Sequence, residues 1–185
     1  VRVAIRSISR PAMAGEINYK IYGVYHVSTD LQNNGDDSSI YVASNTTRVG
    51  IKGYLPTDVE WLTVIWQFEN QADFSNDVSK NGWATRNSFA GVKGNWGKVI
   101  WGRYDSPMKS AGRMVEYFNE RIGDARNATA YFGKGWDNRY AEMLMYATPT
   151  LGEMFDVRLQ FVPENGGNET TVFSGAGFFK ESGFQ

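Results

Sequence analysis

The 185-residue chain contains no cysteine, which excludes disulfides and every thiolate metal site. Its only histidine is His26, so a histidine-rich metal centre is excluded and a Ser-His-Asp triad could be built on that residue alone. Neither sign of charge dominates. The 19 Lys and Arg against 20 Asp and Glu leave a formal net charge of −1, which gives no basis for nucleic acid as a partner. No motif asks for a cofactor or a metal. There is also no run of about 18 uncharged apolar residues, so no transmembrane helix is available. This last absence does not exclude a membrane. Strands of a barrel alternate lipid-facing with lumen-facing side chains, and their mean hydropathy is that of a soluble protein.

Aromatic residues make up 15% of the chain, and it has 20 glycines, a composition suited to strands, tight turns and interfacial aromatic girdles. Alternation is the dominant pattern. From Ile17 to Ser28, residues Ile17, Tyr19, Ile21, Gly23, Tyr25 and Val27 share one face, and Asn18, Lys20, Tyr22, Val24, His26 and Ser28 the other. Such a length is unusual for a globular strand and suits one tilted across a bilayer. A turn at Asn33–Asp37 leads to a second strand from Ile40 to Gly53. Pro56-Thr57-Asp58 turns into a third strand across Leu62–Glu69. A polar loop then precedes strands over Gly82–Gly94 and Lys98–Tyr104. Strand patterns return at Arg139–Thr148, Phe155–Val162 and Thr170–Lys180. The result is an up-and-down meander of about eight strands, with short turns alternating with longer loops.

Residues Asp105 to Asp137 break this rhythm and are too long for a hairpin. Loops of that length in a compact fold usually carry function. Within it, Met114–Ile122 reads as a short helix with Val115, Phe118 and Ile122 on one side. Residues 1–14 read as a signal-peptide remnant, ending in the small-x-small site Ala12-Met13-Ala14, or as an N-terminal extension. Gly177–Gln185 stands in mid-pattern, so further strands are expected after it. Asn-x-Thr sequons occur at Asn45, Asn127 and Asn168, a motif that arises often by chance in Asn- and Thr-rich β-proteins.

Several segments, in their order and spacing, resemble the Gram-negative general porins. They are Ile21-Tyr22-Gly23, Ser44 to Gly53, Ile65-Trp66-Gln67-Phe68-Glu69, Ala84 to Gly94, and Gly102-Arg103-Tyr104-Asp105-Ser106-Pro107. The resemblance covers about Gly15 to Lys180. It implies an all-β, antiparallel, up-and-down transmembrane barrel of roughly 16 strands, of which residues 15–185 would supply the N-terminal half. It also implies a homotrimer in the bacterial outer membrane, in contact with lipid, through which small hydrophilic solutes and ions diffuse passively. The irregular segment would be the third loop, folded inward to narrow the pore.

The resemblance further assigns side chains. Arg48 and Arg86 match a basic ladder on the wall, Lys52 and Lys20 share its face, and Arg103 matches the arginine that ends the fifth strand. The loop offers Asp105, Glu116, Glu120 and Asp124 as the opposing acids. Facing charges of opposite sign set up a transverse field that hydrated solutes tolerate and apolar ones do not. One departure is Val24, where a basic residue often follows Tyr-Gly. Another is the fourth strand, where Arg86 shares parity with Ala90 and Val92, and Phe89 with Lys93, so a bulge or a rim position is needed to satisfy both faces. Trp61, Trp66, Trp101, Tyr19, Tyr41 and Tyr54 are candidate girdle or lipid-facing residues.

Two alternatives stay open at this point. One is a substrate-specific channel on the same fold, for small anions drawn to the arginines. The other is a soluble, aromatic-rich β-sandwich that binds carbohydrate. An outer-membrane hydrolase would need a serine and an acid beside His26, and no motif supplies them.

Overall fold

The computed structural model describes residues 16–33, 35–72, 86–118, 120, 123–124, 137–152, 154–164 and 171–179. The cleavage-site reading at Ala12–Ala14, residues 82–85 of the expected fourth strand, the sequons at Asn127 and Asn168, and Ile122 of the expected helix lie outside them.

The elements run β1 (Asn18–Val24), β2 (Val27–Asn33), β3 (Ser38–Ser44), β4 (Arg48–Pro56), β5 (Thr63–Gln71), β6 (Ser88–Gly94), β7 (Gly97–Asp105), α1 (Pro107–Val115), β8 (Arg139–Ala147), β9 (Phe155–Val162) and β10 (Val172–Phe179). One antiparallel eight-stranded sheet has the order β1-β4-β5-β6-β7-β8-β9-β10, and β2 pairs with β3 alone. The meander expected from alternation is therefore present, with β1 and β10 as its open edges.

The expected 12-residue first strand is split, and so is its partner. Val24 pairs with Arg48 and Val27 with Ser44, so Tyr25 and His26 lie opposite the three residues Asn45, Thr46 and Thr47. One extra residue on one strand is a β-bulge. Thr46 takes it up at φ 56°, and the two chains stay joined there by Asn45 N–H donating to His26 O at 2.8 Å. Asn45 itself is buried and donates to Ser28 Oγ at 2.8 Å, which does not fit an exposed sequon.

The two faces of the main sheet differ sharply. On one lie Ile21, Val49, Phe68, Trp101, Leu144, Leu159, Phe161, Phe173 and Phe179, all apolar and all substantially exposed. The opposite face carries Lys20, Tyr22, Arg48, Lys52, Gln67 and Glu69 on its first strands. On β8 to β10 the same face buries Met143, Met145, Gln160, Val162 and Phe178. A β-sandwich would cover the aromatic face with a second sheet. Here the apolar face of a single sheet is the exposed one, which overturns the carbohydrate-binding sandwich. Tyr54 is corrected too: its parity with Lys52 turns it to the polar face, beneath Lys93.

The helix lies earlier than Met114–Ile122. Ser106 is its N-cap, accepting from Lys109 N–H at 3.1 Å, and Pro107 stands in its first turn, where a missing N–H costs nothing. It packs against β10 and β9, so the segment leaving β7 folds back over the polar face. A charge on the apolar face should be costly if that face meets lipid. Leu159→Arg in the full-length protein should lower unfolding free energy in liposomes by about 2–4 kcal/mol. Ser174→Lys, on the opposite face, should leave it nearly unchanged. Equal losses by denaturant titration would reverse the assignment of the faces.

Candidate functional site

The charged side chains converge at the loop end of the polar face. Glu69, on β5, holds Arg86 through Nε at 2.8 Å and lies 3.9 Å from Arg48 Nε. Glu120, from the loop after α1, reaches the same two arginines, at 2.9 Å to Arg48 and 3.2 Å to Arg86. Arg113, on the last turn of α1, joins Glu120 at 3.4 Å to Asp105 at 2.8 Å. Arg139, the first residue of β8, closes on Asp105 at 2.9 Å. The chain of pairs thus ties β4, β5, the residues before β6, the end of β7, α1, the loop and β8 together.

Local backbone irregularities make this convergence possible. Gln67 pairs with Phe89, yet Arg86 N–H donates to Glu69 O rather than the regular register being continued. That one-residue shift is the bulge that the conflicting parity of Arg86 and Lys93 required, and it places Arg86 on the side of Glu69. Ser88 Oγ accepts from Glu69 N–H at 3.1 Å in the gap so formed. A second bulge lies between β7 and β8. Gly102 pairs with Met143 and Tyr104 with Tyr140, so Ala141 and Glu142 oppose Arg103, with Glu142 at φ 55°.

A glycine sets up the remaining contact. Tyr22 lies across Gly50 of β4, where an added Cβ would fall 2.5 Å from its ring, and its hydroxyl donates to Glu69 on β5 at 2.7 Å. Gln67 Nε2 donates to the same hydroxyl at 3.0 Å. The Glu69 carboxylate therefore has donors from Tyr22 and Arg86 and is almost fully buried.

Among the residues singled out by sequence, Arg48, Arg86 and Glu120 meet directly, without an intervening gap. Asp105 is buried in the adjoining knot, and also accepts from Asn87 Nδ2 at 3.0 Å. Asp124 accepts Glu120 N–H at 2.8 Å, which fixes the loop backbone behind the Glu120 carboxylate. Glu116 accepts Phe118 N–H at 2.7 Å beside the helix end. Lys52 stands over the Tyr22 ring at 5.3 Å and pairs across the sheet with Lys20. Arg103 forms no ion pair among the described residues and is not part of the cluster. Sequence reasoning missed Glu69, Tyr22, Arg113 and Arg139. His26 contributes its backbone to the first bulge, its N–H donating to Thr47 Oγ1 at 3.1 Å.

Burial opposes the charge on Glu120. Hydrogen bonding to Thr46 and Arg48, together with the positive fields of Arg48 and Arg86, outweighs it and holds the carboxyl below the usual range. Within the described residues no cluster of His, Cys, Asp and Glu is arranged to hold a metal.

An antiparallel meander with an exposed apolar face and charges gathered on the other is the wall of an outer-membrane-type β-barrel. The chain belongs to the Gram-negative porin family, whose model matches residues 3–184, and its place is the bacterial outer membrane. The major outer membrane protein P.IB of Neisseria sicca is 31% identical over 111 residues, covering 60% of this chain and 28% of that protein. The P.IB protein of Neisseria lactamica is 29% identical over 147 residues, covering 77% of this chain and 41% of that one. The chain thus spans less than half the length of either relative. The anion-selective porin from Comamonas acidovorans shares the fold, with a TM-score of 0.63 at 22% identity over 80% of this chain and 47% of that chain.

Two predictions follow from the cluster's geometry. Gly50→Ala should push Tyr22 off Glu69 and cost the full-length protein about 1.5–3 kcal/mol of unfolding free energy, the range for a hydrogen bond to a charged group. Tyr22→Phe should cost a similar amount, and the double variant little more, by denaturant titration. The second concerns pH. Because the Glu120 carboxyl is depressed, its contribution to loop docking is fully present above the ordinary glutamate value of about 4.3. It is lost as pH falls through the lower folded-state value. Amide exchange of residues 116–124, corrected for intrinsic rates, should stay protected at pH 5 and lose protection only well below that.

Proposed function

We propose that this wall is part of a water-filled outer-membrane channel, trimeric when assembled, through which small hydrophilic solutes and ions diffuse without a chemical step. The observation that carries the reading is the joining of a loop carboxylate, Glu120, to wall arginines 48 and 86 on the face opposite the exposed apolar one. A segment folded over a lumen and bonded to the wall several strands away narrows that lumen. Ionised side chains are tolerable there because the lumen is wet, whereas arginine at mid-bilayer on the lipid face costs about 2–4 kcal/mol. Lys20 and Lys52 continue the basic side of the same face. Arg113 and Arg139 join the cluster already paired with Asp105, so it is Lys20 and Lys52, which form no ion pair among the described residues, that tip the face toward small anions. The selective Comamonas porin shares this wall architecture.

The test is conductance. Folded full-length protein added to planar bilayers should give stepwise increases in current, and folded trimers without any current would refute the channel. Glu120→Gln should raise the chloride-over-potassium permeability ratio by about threefold, because it removes one negative charge from among three arginines. An unchanged ratio would separate Glu120 from the conduction path.

A further inference from the structure

The turn end of the polar face carries a second basic group, apart from the Arg48–Glu120 cluster and differently organised. Lys20 pairs directly with Lys52, and Lys93 with Lys98, so two like-charged pairs sit cross-strand on one face. Like charges directly opposite one another repel. Lys98 pairs with Ala147 and Ala147 with Arg158, which extends the same row onto β9. Asp156, bonded to Arg158 at 3.0 Å, is the one carboxylate carried by the described strands in this half. None of the four lysines forms an ion pair among the described residues. What supports them is aromatic: Lys52 lies over Tyr22 at 5.3 Å, Lys93 over Tyr54 at 5.5 Å, and Arg158 over Phe178 at 3.9 Å.

These residues line two grooves. Lys20, Lys52 and Lys93 edge one of about 450 Å³. Lys93, Lys98 and Arg158 edge another of about 330 Å³. Lys93 belongs to both, so the grooves meet at its ammonium. Each is large enough for a small hydrated anion.

We propose that this shelf is a binding site for small multivalent oxyanions, which it hands between the two grooves by way of Lys93. The inference rests on this face being the lumen. An anion with two or more charges can balance both ammoniums of a lysine pair, whereas a monovalent one leaves each pair with a net positive charge. Rings beneath Lys52 and Lys93 support those two without neutralising them. Since short turns of such barrels face the periplasm, the site is entered from that side.

The experiment uses full-length trimers in planar bilayers, with citrate as the probe and chloride current as the readout. Citrate added on the turn side should reduce the current at lower concentration than citrate added on the loop side. The K93Q/K98Q double variant should raise the half-blocking concentration by about tenfold, in keeping with loss of two charges at screened separations. K20Q/K52Q should weaken block in the same direction, and serves if the first variant fails to fold. A conducting wild type whose block is symmetric, or unmoved by both double variants, overturns the shelf and leaves the channel standing. Folded wild type that carries no current overturns both.

Discussion

In lipid, a backbone amide without a partner costs several kcal/mol, so a sheet can cross only with its ladders intact and its outward side chains apolar. This constraint governs the rest of the molecule. Once every second residue is committed to hydrocarbon, each charged side chain of the strands must go to the other face. Lys20, Arg48, Lys52, Glu69, Lys93, Lys98, Asp156 and Arg158 do so, while Arg103, which pairs with Ser88 on the parity of Trp101, stands near the loop end, where the cost falls. Charge density on that face is therefore high because of sheet geometry, before any function is considered. What remains for the sequence to decide is which charges are paired and which are left open to water.

The sheet answers that by breaking its own register. Three bulges lie at Thr46, at Arg86–Ser88 and at Ala141–Glu142, all in the loop half. Each shifts one strand by a residue, and bulges commonly re-aim side chains in this way. The first brings the Thr46 hydroxyl and carbonyl within 3.3 Å of Arg48 Nη1, beside Glu120. The second turns Arg86 to Glu69. The third sets Arg139 against Asp105. The turn half keeps its regular ladder, and among the described residues of its strands the one ion pair is Asp156–Arg158. Regular pairing leaves charges where alternation puts them; irregular pairing lets a wall assemble a compact ionic cluster.

This division explains what could be read from sequence. Strand periodicity located eight strands and the polar face, and the ordered motifs pointed to Arg48 and Arg86, with Glu120 one of four loop acids offered together. Glu69 was within reach, since it shares parity with Gln67 across from Lys52 and Arg48, but only if the adjoining strands were counted together. The helix was legible in another signal: Ser106 followed by Pro107 is an N-cap and first-turn pair, stronger than the apolar spacing of Val115 and Phe118. Arg113 and Arg139 could not be found this way. Their partners depend on where the loop folds and on a bulge, and parity counting cannot see an inserted residue. Arg103, carried by its motif position alone, joins no ion pair among the described residues.

The buried pairs need not be strong stabilisers. Arg86 and Glu69 are both nearly fully desolvated, and the attraction of such a pair largely offsets the cost of removing it from water. Losing one partner is different, because it strands a buried charge at about 3–5 kcal/mol. Glu120 is therefore held less by net gain than by the penalty its absence would impose on Arg48, Arg86 and Arg113 together. The lysines of the turn half have the opposite character: none of the four forms an ion pair among the described residues, with Lys20, Lys52 and Lys93 exposed and Lys98 partly buried. From the turn end to the loop end of this face, open lysine charge thus gives way to an ion-paired cluster. In the channel proposed above, the first would supply attraction and the second the shape through which a solute passes.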